Sequence, residues 1–145
     1  MIIGYSTDIG LVRERNEDAY YVGRNVFAIA DGMGGHKAGE IASFIAVDAV
    51  SKFPEDTDAV PGCIESCFKS ANEKILEVSK TFESTKGMGT TLTMAFIEDV
   101  TAFIGHVGDS RAYLLSSEEI RRLTSDHSVV AELVRSGFIS EDDAK

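Results

Sequence analysis

Three short segments hold the residues able to do chemistry. Arg13-Glu14-Arg15-Asn16-Glu17-Asp18 precedes an apolar run, a second apolar run closes on Asp31-Gly32-Met33-Gly34-Gly35, and far downstream a third ends in Gly108-Asp109-Ser110-Arg111. Acids at the ends of buried strands, beside glycines that let the main chain come close, suit a hard divalent cation. Such an ion takes carboxylate and carbonyl oxygens held on rigid elements and leaves other positions to water. The pattern implies a magnesium or manganese site fitted for phosphate chemistry.

The elements that must position these acids follow from hydrophobic periodicity. Residues 2–6 and 19–22 read as strands, and Gly23-Arg24-Asn25 turns the chain into Val26-Phe27-Ala28-Ile29-Ala30, an apolar run typical of a strand covered on both faces. Asp31 then stands at the mouth of a core strand. Over residues 38–53, Ile41, Phe44, Ile45, Val47 and Val50 form a helical stripe that Pro54 ends. A second helix is expected over 60–81, with Ile64, Cys67, Phe68, Ala71, Ile75 and Val78 inward. Residues 91–97 and 101–107 predict a hairpin around Glu98-Asp99, and 112–115 with 120–123 a second one around Ser116-Ser117-Glu118-Glu119. His106, inside a strand, reads as a satisfied core histidine. A third helix is expected over 129–136, capped by Gly137, and Ser140-Glu141-Asp142-Asp143 reads as the capped start of another. Strands, two long helices and more strands describe an α+β layered domain.

Composition excludes several function classes. The 145 residues are 43% hydrophobic, ordinary for one globular domain with its own core. A formal net charge of -10 makes nucleic acid a poor partner, because phosphate backbones are bound by clustered Lys and Arg. The N-terminus has no basic region before a long apolar stretch, and no run reaches membrane-spanning length, so no membrane partner is expected and the expected location is cytoplasmic. Cys63 and Cys67 lie four apart on a helix without Cys or His clusters elsewhere, which argues for two reduced thiols rather than zinc or a disulfide. Lys37 after the glycine turn lacks both the preceding Gly and the following Ser or Thr of a nucleotide-binding loop.

Five motifs then carry a resemblance. Arg-x-x-x-Glu-Asp at Arg13–Asp18, Asp-Gly-Met-Gly-Gly-His-x-x-Gly-Glu at Asp31–Glu40, Gly-Met-Gly-Thr-Thr at Gly87–Thr91, Gly-Asp-Ser-Arg at Gly108–Arg111 and Leu-Thr-x-Asp-His-Ser at Leu123–Ser128 occur in this order. Together they resemble the bacterial branch of the metal-dependent serine/threonine protein phosphatases of type 2C. The resemblance implies a layered α-β-β-α sandwich, of which residues 1–145 would be the N-terminal part, ending at the start of the family's flap, with the C-terminal strands missing. It implies two Mn2+ or Mg2+ ions, Asp31 as their bridging ligand and the Gly32 carbonyl as another, with Asp109 holding a third, weaker cation.

Glu17 and Asp18 are both carried as metal-site acids. Alternation along a strand lets only one face the site directly, and Asp18 is favoured. The motif selects Arg13 over Arg15 as the phosphate clamp, for which a guanidinium offers a permanently charged planar fork. His36 stands where an imidazole could protonate a leaving oxygen. Many family members carry their histidine where this chain has Met33, so His36 substitutes by position. The substrate expected from the resemblance is phosphoserine or phosphothreonine on proteins, with a cognate Ser/Thr kinase or its targets as partners. The family completes its metal site with further acids that do not occur before Lys145. A truncated enzyme, inactive alone and self-associating or pairing with the remaining part, therefore stands beside a non-catalytic phosphoprotein- or partner-binding half-domain and a fragment without its own function.

Overall fold

The computed structural model describes residues 1–34, 38–127, 133, 134, 136–138 and 140. In chain order the elements are β1 (Asp18–Val22), β2 (Val26–Met33), α1 (Ala38–Ser51), α2 (Val60–Thr81), a 3-10 turn (Glu83–Thr85), β3 (Gly89–Thr90), β4 (Leu92–Glu98), β5 (Thr101–Val107), β6 (Tyr113–Leu115) and β7 (Ile120–Arg122). Strands β1-β2-β4-β5 form one antiparallel sheet, β3 adds to the end of β2, and β6-β7 form a separate hairpin. The class is α+β, as the alternation of periods implies.

The pleat sorts β2 into two faces. Val26, Ala28 and Ala30 are buried against the helical layer, where Val47 and Val50 of α1, Cys67 of α2, and Leu92, Met94 and Phe96 of β4 complete the core. Phe96, 1% exposed, sits between the rings of Phe53 and Phe103 with centroids 5.3 and 6.3 Å away. Small residues along β2 let α1 approach closely, and this seats the N-terminus of α1 next to the Asp31 end of the strand.

Several expectations are corrected. The opposite face of β2 is not fully covered among the described residues: Ile29 is 49% exposed beside a groove of about 280 Å³ lined by Ile3, Tyr5, Tyr20, Ile104 and Ala112. Residues 2–6 form no strand, because no described strand pairs with them. They lie along that face instead, with the Tyr5 ring 4.9 Å from that of Tyr20. Phe44 is 65% exposed, since the apolar circumference of α1 is wider than the face the sheet and α2 can cover. The β4–β5 turn is Asp99-Val100, with Glu98 and Thr101 paired and Asp99 at φ 51, a conformation Asp tolerates. His106 bonds Thr93 Oγ1 through Nδ1 at 2.8 Å, but its buried Nε2 has no partner among the described residues, so it is half satisfied.

Most of the expected helix at 129–136 and the helix start at 140–143 lie outside the described residues. Leu133 and Val134 are helical, and Gly137 (φ 76) caps them: its N–H donates to Val134 O at 3.0 Å and the Phe138 N–H to Leu133 O at 2.9 Å.

Candidate metal centre

Asp18 opens β1 and Asp31 lies near the end of β2, and the antiparallel register makes them direct partners. Directly opposed residues share a face of the sheet, so the two carboxylates converge, an arrangement that costs stability unless something positive lies between them. Partial burial is the first cause that raises the Asp31 carboxyl above its ordinary range. The charges of Asp18 and Asp109 and a hydrogen bond with Asp18 raise it further, while Arg13 opposes them. By surface area Asp31 remains exposed. The like charges are therefore the part of this penalty that a cation would relieve.

Glu17 and Asp18 point different ways. The Glu17 carbonyl accepts the Gly32 N–H at 3.2 Å and the Ser43 hydroxyl at 2.6 Å, which ties the start of β1 to the end of β2 and to α1. Its side chain lies over the first turn of α1, where a Cβ on Gly39 would come within 2.9 Å of the Glu17 Oε1. Asp18 is the one on the Asp31 face. Its N–H donates to Asn16 Oδ1 at 3.0 Å, and Asn16 Nδ2 donates to Thr7 Oγ1 at 2.7 Å, fixing the approach to the strand. Gly32 is buried, and a Cβ there would stand 2.1 Å from Gly39 O and 2.6 Å from Glu17 O, so main chain packs on main chain at this point.

Asp109 arrives from the end of β5 through Gly108, whose φ of 104 favours glycine. The turn is braced on two sides. Ser110 Oγ shares a 2.8 Å hydrogen bond with Thr91 Oγ1, and Gly108 O accepts the His127 N–H at 2.6 Å. Arg111 holds Asp126 in a fork, Nη2 to Oδ2 at 2.8 Å and Nε to Oδ1 at 3.3 Å, and Arg122 pairs with the same carboxylate. Arg111 first, and then Arg122, hold the Asp126 carboxyl below its usual range. Arg111 thus holds the loop and is not free to meet a ligand.

Arg13 and Arg15 both border a groove of about 180 Å³ that also contains Asp8, Glu17, Asp18 and Asp31. They differ in their partners: Arg15 lies 3.9 Å from Glu40, whereas Arg13 acts on Asp31. His36 falls outside the described residues. Among the described residues no three His, Cys, Asp or Glu side chains converge tightly enough to enclose an ion unaided. The residues present nonetheless fit a hard cation held openly: opposed carboxylates whose repulsion an ion would cancel, beside closely packed main chain, with positions left to water.

The polar layer behind the acids has no counterpart among the site residues expected from sequence. Thr90, Thr91 and Ser43 hold the main chain of Asp31 and Glu17, and the repeated hydroxyls of Gly-Met-Gly-Thr-Thr were the available signal.

The protein phosphatase 2C profile matches residues 9–133. The serine/threonine phosphatase stp of Listeria monocytogenes is 39% identical over 151 residues, covering 97% of this chain and 60% of the relative. The protein phosphatase PhpP of Streptococcus pneumoniae is 39% identical over 155 residues, covering 100% and 63%. Among solved structures, the catalytic domain of the serine threonine protein phosphatase PstP, in complex with two manganese ions, superposes with TM-score 0.82 at 36% identity, covering 93% of this chain and 60% of that one. The Streptococcus agalactiae serine/threonine phosphatase gives TM-score 0.84 at 36% identity, covering 94% and 60%. The chain thus spans about 60% of the length of each of these four proteins.

Proposed function

The chain belongs to the protein phosphatase 2C family, and on that premise we propose that the protein hydrolyses phosphoserine and phosphothreonine on other proteins. The observation that carries this reading is the pairing of Asp18 and Asp31 beside Arg13 in one open groove, with the charge of Asp109 acting on Asp31. Asp31 and Asp18 would hold Mn2+ or Mg2+ together with the Gly32 main-chain oxygen, and Asp109 would stand by a further, weaker position. Such ions, when bound, would supply an activated water as the nucleophile, so that no phosphoenzyme is required.

The protein's own residues do the rest. Arg13 presents its fork to two phosphoryl oxygens and neutralises the charge that spreads over them. Arg15 borders the same groove but lies near Glu40, 3.9 Å away. Glu17, turned to α1, fixes the strand start and with it the direction of the Asp18 carboxylate. His36 is assigned the proton for the departing alkoxide.

A second reading is a phosphoprotein- or partner-binding half-domain. Its partly open sheet face, with Tyr20 and Ile29 exposed, supports self-association or pairing with a remaining part of the enzyme. Partners are phosphoproteins, including products of a cognate Ser/Thr kinase. No helix among the described residues is long and apolar enough to cross a membrane, which is compatible with the proposed cytoplasmic location. Hydrolysis of phosphoserine and phosphothreonine peptides by the full-length protein, with and without Mn2+, tests the reading. Absence of any metal-stimulated release of phosphate would refute it.

A further inference from the structure

Asp31 and Asp109 come from strand ends far apart in sequence, and a single side chain joins the segments that bear them. Thr91 sits between β3 and β4, both of which pair with β2, with Gly32 opposite Thr90 and Ile29 opposite Thr93. Between those two pairs the ladder changes character. The Asp31 N–H donates to the Thr91 hydroxyl at 2.9 Å instead of to a main-chain carbonyl, while the Thr91 N–H donates to Asp31 O at 2.9 Å. Thr90 Oγ1 adds a second bond to Asp31 O at 3.0 Å.

The same Thr91 hydroxyl meets Ser110 Oγ at 2.8 Å, one residue past Asp109. Having accepted the Asp31 N–H, it still has a proton to give and a lone pair to offer, so both bonds are satisfied at once. The methyl group packs below the turn: a Cβ on Gly108 would lie 2.6 Å from Thr91 Cγ2. Thr91 is 8% exposed, so water is a poor substitute for either partner.

We propose that Thr91 is a positioning residue that sets the separation of the Asp31 and Asp109 carboxylates, and thereby the affinity of the cation position next to Asp109. This rests on the metal-centre reading above. Hydroxyl and methyl have separate duties here. Thr91→Val keeps the shape under Gly108 but leaves the Asp31 N–H and the Ser110 hydroxyl without a partner. Thr91→Ser keeps both hydrogen bonds. Ser110→Ala cuts only the link to the Asp109 turn.

The test titrates Mn2+ into the full-length wild-type protein and the three variants, reading free Mn2+ by electron paramagnetic resonance, with thermal unfolding of each metal-free protein alongside. Expected is a loss of Mn2+ affinity on the order of tenfold or more for Thr91→Val, the size of effect found when groups behind metal ligands are removed. Thr91→Ser is expected to retain wild-type affinity, and Ser110→Ala to weaken selectively the loosest Mn2+. Wild-type affinity in Thr91→Val with only its melting temperature lowered would make Thr91 a packing residue and overturn the inference. Should Thr91→Val fail to fold, unchanged Mn2+ binding by Ser110→Ala overturns it equally. Failure of the wild-type protein to bind Mn2+ is a different outcome, which removes the metal-centre reading itself.

Discussion

Asp18 and Asp31 face one another across β1 and β2 as direct register partners, two carboxylates on one side of a sheet with Asp109 adding a third negative charge nearby. A fold that keeps such a contact carries an electrostatic penalty that a bound cation would relieve.

The penalty is measurable in the metal-free protein. The folded-state pKa of Asp31 is raised above its ordinary 3.8, so its stabilising contribution is fully present below 3.8 and is lost as pH rises through the raised value. Asp31→Asn is therefore expected to stabilise the metal-free protein near neutral pH by roughly 0.5 kcal/mol, the scale of opposed like charges on an exposed sheet face. Denaturation of both proteins should show the difference vanish below pH 3.8, where both side chains are neutral. A wild-type protein more stable than Asp31→Asn at neutral pH without metal would contradict this.

The two arginines of the groove should separate kinetically. Arg13→Ala in the full-length protein is expected to raise KM for small phosphoesters by roughly ten- to hundredfold, the loss of a charge-assisted bond to phosphate. Arg15→Ala, which removes only a 3.9 Å contact with Glu40, should change little. Equal effects from both would show that Arg13 is not the clamp.

Two glycines make a stability pair. Gly32→Ala would place a Cβ 2.1 Å from Gly39 O, and main chain cannot swing aside as a side chain can, so a loss of about 2–3 kcal/mol is expected. A Cβ on Gly62 in α2 would meet nothing within 4 Å, so Gly62→Ala should stabilise by about 0.5 kcal/mol. Urea unfolding of both variants checks the order, and a tolerated Gly32→Ala would mean that β2 and α1 are not locked together there.

How much of this was legible in the sequence depends on whether the governing contact is local. The strand at Val26–Ala30, the stripe on α2 and the glycine turn before Asp109 follow from period and turn chemistry, and the structure has them at those positions, although β2 runs on through Asp31 and Gly32 to Met33 instead of turning there. The pleat alone said that only one of Glu17 and Asp18 could face Asp31, and the register with β2 puts Asp18 there. By contrast, Ile2 and Ile3 are strand-forming residues with no strand partner among the described residues, and Phe44 has the helical spacing of a core residue but no surface opposite it. Thr91 was hidden for a different reason. Its hydrogen bonds reach 60 residues back to Asp31 and 19 forward to Ser110, and a threonine in a β-rich stretch looks like any strand residue.

The most direct measurement is phosphate release from a phosphothreonine peptide by the full-length protein and its Asp31→Asn variant, each assayed in Mn2+ and in excess EDTA. Wild-type turnover is expected in Mn2+, to vanish in EDTA and to return when Mn2+ is restored, and Asp31→Asn is expected to be inactive throughout although it folds. Undiminished wild-type hydrolysis in excess EDTA, or full activity in Asp31→Asn, would contradict a metal centre built on Asp31.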